Sequence, residues 1–252
     1  MQISLLRIFF LLQPIFALAT SSTTMPKIKL TYFDIEGAAE PVRLALALAG
    51  QEYEDERINF PDWAGLKPKM PHGQLPVMQI DGGDMKTQSG AMIRWVGHEC
   101  SKTLYPLDKI YEVEEAVGVV GDFQRAWQPC LYISMRPQIF GYPEGFSSTD
   151  EGKEKVKVMR TKFVKEELPL YLGHLEDMLK ASGGKWLVKG DEPTIADCMA
   201  VSLLRSFTKG HVDHVDTKCL ETHPKVVDYV KNFCELPQIK GRYDNGLGSM
   251  KY

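Results

Sequence analysis

The sequence predicts a mixed α/β segment followed by an all-helical one, on three observations. Between residues 26 and 103, short apolar runs and two helical stretches follow one another in the order β-α-β-loop-β-β-α. The polar stretch SKTLYPLD, residues 101–108, then interrupts the pattern, and no clear strand is legible beyond it. From there on, apolar residues return every three or four positions, the period of helices with one buried face.

Each element has its own signal. Lys27 to Phe33 alternates and closes on the aromatics Tyr32 and Phe33, as a strand does. Ala39 to Ala49 is rich in Ala and Leu and stops at Gly50, a helix with a C-terminal glycine. Tyr53 to Asn59 reads as a second strand. PDWAGLKPKMPHG is broken by Pro and Gly into a loop with at most a short helix. QLPVMQID and DMKTQ flank Gly82-Gly83, a hairpin signal, and Ser89 to Cys100 is helical. In the C-terminal part Ile110, Val113, Val117, Val120, Phe123 and Trp127 form one stripe. Leu168, Leu172, Leu175 and Leu179 form a second, and Ala196, Met199, Ala200, Leu203, Leu204 and Phe207 a third. Val226, Val230 and Phe233 follow Pro224, which suits a first helical turn. The expected units are a leader over 1–25, an α/β unit over 26–103 and an all-helical unit over 109–245.

The leader carries Arg7, an apolar run from Ile8 to Ala19 broken by Gln13 and Pro14, and the small-residue pattern Ala17-Leu18-Ala19. That is a secretory-signal pattern, too short and interrupted for a membrane span. The competing reading starts translation at Met25. The first places the chain in the secretory pathway, the second in the cytoplasm. A net charge of -3 argues against nucleic acid as a partner. Cysteines at 100, 130, 198, 219 and 234 are odd in number and form no CxxC, so neither a disulfide framework nor a zinc site is indicated.

Four motifs carry chemistry or mimic it. PTIADCMA places Thr194 three residues before Asp197, a capping-box variant with a structural role. GHVDHVD offers His211, Asp213, His214 and Asp216 at a spacing that fits no familiar metal motif, and reads as a solvated loop. QLPV puts Pro76 directly before a strand. It is either a simple edge-strand proline or a cis bond that turns the Leu75 backbone toward an extended ligand. TQSGA sets Gln88 and Ser89 at a helix start, either an ordinary serine cap or an anion site.

Together KLTYF, DWAGLKP, GQLPVM, QSGAMIRW and PTIADCMA, in this order and spacing, resemble the cytosolic-type glutathione transferases over residues 26–245. The sigma class, which includes haematopoietic prostaglandin D synthases and squid lens crystallins, is the group most similar. The resemblance implies a thioredoxin-like N-terminal domain, an all-α C-terminal domain, a homodimer, and glutathione as co-substrate without a metal. It implies that Tyr32 is catalytic, its hydroxyl donating to the glutathione sulfur. The loop DIEGAAEP after it holds no cysteine, so disulfide chemistry is not expected there. Trp63 and Lys67 are then expected on the glycyl carboxylate, and Gly73, Gln74 and Leu75 along the cysteinyl peptide, with Pro76 cis. Gln88 and Ser89 are expected on the γ-glutamyl carboxylate, and Asp122 on the γ-glutamyl amine across the dimer, with Gly121 in place of a second acid.

The resemblance also marks a departure. Glu36 and Ala38 stand where sigma enzymes commonly have two arginines. Losing the second implies a less depressed thiol pKa and weaker activity, and weighs against prostaglandin isomerase chemistry. The implied function is conjugation of glutathione to small electrophilic, mostly hydrophobic compounds in detoxification. The second substrate would lie between the domains, near Phe33 and the helix from Trp127 to Tyr132. The alternatives are a non-catalytic crystallin-like protein and a glutathione-dependent isomerase.

Overall fold

The computed structural model describes residues 25–243, so nearly all of the expected leader lies outside the described residues. Strand β1, Ile28–Phe33, is central because its inward positions are apolar: Ile28, Leu30 and Tyr32 are buried. It pairs in parallel with β2, Tyr53–Ile58, and antiparallel with β3, Val77–Ile80, giving the order β2-β1-β3. Helix α1, Glu40–Leu48, makes the crossover between β1 and β2 and buries Val42, Leu44, Ala45 and Leu46. A short helix α2, Trp63–Leu66, sits in the long loop before β3. Helix α3, Ser89–Trp95, follows and continues as a wider turn to Cys100.

The predicted fourth strand is reduced to one bridge, Met78 to Lys86. Its residues explain this: Asp84, Met85, Lys86 and Gln88 are all exposed, so the segment has no apolar face to anchor a ladder. Both readings of Pro76 also meet here. The Leu75–Pro76 peptide is cis, and the strand it opens lies at the sheet edge.

The helical part comprises α4, Ile110–Met135; α5, Asp150–Lys162; α6, Leu168–Ser182; α7, Ile195–Thr208; and α8, Pro224–Cys234. The predicted stripes are the buried faces. Val113, Val117, Val120, Phe123 and Trp127 of α4 are buried, while Ile110 at its start is exposed. Leu168, Leu172, Leu175 and Leu179 of α6 are buried, as are Val226, Val230 and Phe233 of α8. One continuous core joins both parts, with α7 packed against α1 and α4. The connecting SKTLYPLD stretch is docked as well: Leu104 is buried and its carbonyl accepts from the Ile195 N–H at 2.9 Å. The chain thus has a thioredoxin-like N-terminal domain and an all-helical C-terminal domain. Among the described residues no helix is long and apolar enough to cross a membrane.

Candidate functional site

Tyr32 is the penultimate residue of β1, buried, with its hydroxyl at the loop that follows. The Ala38 N–H donates to the hydroxyl oxygen at 3.1 Å. Gly37 makes this approach possible. Its φ is +43°, and a Cβ there would stand 2.6 Å from the Tyr32 oxygen. Burial pushes the Tyr32 pKa above its ordinary value, against the opposing influence of the Ala38 N–H and the Arg43 and Arg136 cations. The phenol is therefore neutral at physiological pH, with its own proton free to donate.

Arg43 of α1 fixes the loop from below. It is fully buried, its Nε meets Asp55 at 3.0 Å and one guanidinium nitrogen donates to the Ile35 carbonyl at 2.7 Å. Its guanidinium carbon lies 5.8 Å from the Tyr32 ring centre. From the helical side, Glu36 is buried and pairs with two cations, Arg205 of α7 at 3.3 Å and Lys209, just past the end of α7, at 2.5 Å. The departure noted in the sequence thus has a structural content: an acid where an arginine is common, matched by basic residues on the facing helix.

Two segments that carry expected site residues reach the β1 end, one at Trp63 and one at Leu75–Pro76. Phe33 stacks on Phe60 at 4.5 Å and meets the Trp63 ring edge-on at 5.6 Å, which holds the 59–73 segment beside Tyr32. Lys67 is exposed and its aliphatic chain runs alongside Gly73. Gln74 is extended and leads into the cis Leu75–Pro76 bond. Val77 pairs with Thr31, so continuing the register by one residue sets Pro76 opposite Tyr32. Gln88 has a φ of +72° and turns the chain into α3, whose first residue is Ser89. No side chain caps this helix, so Ser89 is not the ordinary cap. The first N–H groups of a helix have no partner within it and favour an anion.

Asp122 stands apart. It is exposed on α4 and ion-paired with Arg125. The end of α4 that faces Tyr32 carries Tyr132, with Arg136 just beyond it, and the Arg136 cation acts to lower the Tyr32 pKa. Ten residues of helix, about 15 Å, separate Asp122 from Tyr132, so Asp122 is not brought to the Tyr32 site of its own chain. Trp127 departs from the expected lining of the second-substrate region. It points into the core against Phe163 and Phe207 rather than toward the site. Tyr132 and Arg136 are the nearby residues at this end of α4, and Met135, Ile139 and Phe140 next to them in the chain are exposed.

Asp197 has the structural role read from its motif. It is fully buried and accepts from the Leu187 N–H, the Thr194 N–H and hydroxyl, and the Tyr229 hydroxyl. Among the described residues there is no group of three or more His, Cys, Asp or Glu placed to hold a metal ion. The positions that sequence reasoning missed are Arg43, Arg205 and Lys209. Only the unusual Glu36 hinted at a cationic partner.

The model for the glutathione S-transferase N-terminal domain matches residues 28–97 and that for the C-terminal domain residues 144–242. Glutathione S-transferase 1 of Ascaris suum is 34% identical over 220 residues, spanning 86% of this chain and 95% of the relative. A glutathione S-transferase class-mu 28 kDa isozyme of Schistosoma japonicum is 32% identical over 200 residues, 78% of this chain and 88% of its own. Among solved structures, monomeric Na-GST-3, a glutathione S-transferase of the hookworm Necator americanus, is 28% identical. It superposes with a TM-score of 0.67 over 90% of this chain and 100% of its own. With models for both domains matched, and a named relative aligned along most of its length, the chain belongs to the glutathione S-transferase family.

Proposed function

We propose that this protein is a sigma-like glutathione transferase that joins the glutathione sulfur to small, mostly hydrophobic electrophiles, as in detoxification. One observation carries the reading: a buried, neutral Tyr32 hydroxyl that accepts from Ala38 and keeps its own proton for a ligand atom beside the cis Leu75–Pro76 bond. A free thiol has a pKa of about 8.5 and is mostly protonated at neutral pH. A hydrogen bond to the thiolate favours the anion, by about 1.4 kcal/mol per unit of pKa. Tyr32 therefore makes the nucleophile and forms no covalent bond itself.

Trp63 and Lys67 would hold the glycyl carboxylate through an indole N–H and an ammonium. Gly73, Gln74 and Leu75 would follow the cysteinyl peptide, and Gln88 and Ser89 would take the γ-glutamyl carboxylate at the start of α3. Asp122, remote from Tyr32 in its own chain, would serve the partner's site in a homodimer. One structural relative, Na-GST-3, is monomeric. The electrophile would sit against Phe33, Tyr132 and the apolar end of α4. In the reaction the sulfur bonds to the electrophilic carbon. A halide leaves with the bonding pair, or, with an enal, the α-carbon takes up a proton. Holding both reactants in line contributes the remainder.

The test is purified protein with glutathione and a panel of aryl halides, enals and an endoperoxide. The proposal expects turnover of halides or enals. Glutathione binding without turnover of any class would favour the crystallin-like reading, which the missing arginine at position 38 supports. Turnover of the endoperoxide alone would favour an isomerase.

A further inference from the structure

We infer that Glu36 is a positioning residue for the Tyr32 hydroxyl: its carboxylate, clamped by Arg205 of α7 and by Lys209 just past the end of α7, holds the Gly37–Ala38 turn so that the Ala38 N–H stays on Tyr32. This rests on the reading of Tyr32 as the group that stabilises the thiolate.

The geometry ties Glu36 at both ends. Its two carboxylate oxygens each take one cation of the helical domain, Arg205 at 3.3 Å and Lys209 at 2.5 Å. Both cationic side chains are buried, at 0% and 4% exposure. Its backbone carbonyl accepts from the Glu40 N–H at 3.0 Å and from Arg43 at 3.5 Å. Only Gly37 separates this anchored residue from the amide that meets Tyr32. The turn has no slack, because Gly37 already lies against the hydroxyl with no room for a Cβ. A hydroxyl that accepts one hydrogen bond donates a stronger one and is fixed in direction. Buried ion pairs contribute little net stability after desolvation. The use of this one is geometric: a strut from α7 to the loop that carries the Tyr32 partner.

A competing account, in which Glu36 acts only through its charge, predicts the opposite sign. Glu36 is outnumbered by Arg205 and Lys209, with Arg43 and Arg136 also near Tyr32. Tyr243, Cys234 and Tyr132 also face this cluster, as do Glu40 and Asp55 on Arg43, Arg242 on Glu40, and His211 beside Lys209. Removing one negative charge from it would make the field more positive and lower the thiol pKa. Losing the strut would raise it.

The experiment titrates the ultraviolet thiolate absorbance of bound glutathione against pH in the full chain. The variants are Glu36→Gln, Glu36→Asp, Tyr32→Phe and the Glu36→Gln/Tyr32→Phe double variant. Glu36→Gln is expected to raise the thiol pKa by about half to one unit, a three- to tenfold loss of thiolate below it. The KM for glutathione should change less than about twofold, since no contact to the peptide is lost. Glu36→Asp keeps the charge but shortens the strut, so it should shift in the same direction; it decides the matter if Glu36→Gln does not fold. In the Tyr32→Phe background Glu36→Gln should add nothing. A downward or absent shift in Glu36→Gln, an unshifted Glu36→Asp, or an equal effect without the Tyr32 hydroxyl would each overturn the inference. If Tyr32→Phe alone leaves the titration unchanged, the reading of Tyr32 fails. If Tyr32→Phe shifts it and the Glu36 variants do not, only the role of Glu36 falls.

Discussion

Ala38 contributes to the site through its backbone alone. Its N–H orients the Tyr32 hydroxyl, while its methyl supplies none of the positive charge that an arginine would. Ala38→Arg keeps the amide and adds a cation, so it should lower the thiol pKa of bound glutathione and raise turnover below neutral pH. An unchanged ultraviolet titration would mean that Arg43 and Arg136 already saturate the local field. At this scale the sequence shows where Tyr32 lies, near a strand end before a cysteine-free loop, while its expected role came from the family resemblance. It was silent about what holds Glu36. Lys209 lies 173 positions away, and only the fold brings it to hydrogen-bonding distance.

The elements were legible in proportion to their apolar stripes. The α6 stripe gave four buried leucines, and Thr194 with Asp197 gave the start of α7. Helix α5 was missed because it buries only Gly152, Val156 and Arg160 among many charges. Its start does carry a signal: Thr149 caps the Gly152 N–H at 3.0 Å, followed by two acids in the first turn. The hairpin after β3 is cut to one bridge, since Gly82-Gly83 marked a turn but only the exposed Met85 followed as an apolar residue. The Asp197 network offers the clearest test of an element. Burial raises its pKa, and the hydrogen bonds from Leu187, Thr194 and Tyr229 oppose that rise. Asp197→Ala would leave those donors buried and unpaired, at a cost of about 3 kcal/mol or more. Urea unfolding should show this loss with glutathione affinity intact in the folded fraction. A loss under about 1 kcal/mol would mean that the network is replaceable.

For the whole molecule, the C-terminal segment closes onto the α/β domain through Glu40. Burial alone would raise the Glu40 pKa, but Arg242 at 2.8 Å, Tyr243 and Arg43 outweigh it and hold the carboxyl below its ordinary value. A depressed acid stabilises the fold above its unfolded pKa and loses that contribution as pH falls through the folded one. Arg242→Met removes the largest opposing influence, at a cost of about 2 kcal/mol near neutral pH. The gap to the wild type should narrow on acidification to about pH 4, because the carboxyl left buried can then be neutral. Urea midpoints at the two pH values check this, and a constant gap would contradict it. The dimer has its own test in mixed dimers of an Asp122→Ala chain with a Ser89→Ala chain. If Asp122 serves the partner's site, both lesions fall on one site and about half the sites keep normal affinity for glutathione. If it serves its own, every site is weakened. A charge-assisted bond of about 1.5–3 kcal/mol makes the difference ten- to a hundredfold.

The central claim is that the Tyr32 hydroxyl creates the glutathione thiolate. Difference spectra of glutathione bound to wild-type and Tyr32→Phe protein, recorded in the ultraviolet from about pH 5 to 9, measure it directly. The account predicts a thiolate band in the wild type that persists below the free-thiol pKa of about 8.5. In Tyr32→Phe it should appear only near that value, with glutathione still bound and the fold unchanged. Superimposed titration curves would contradict the claim.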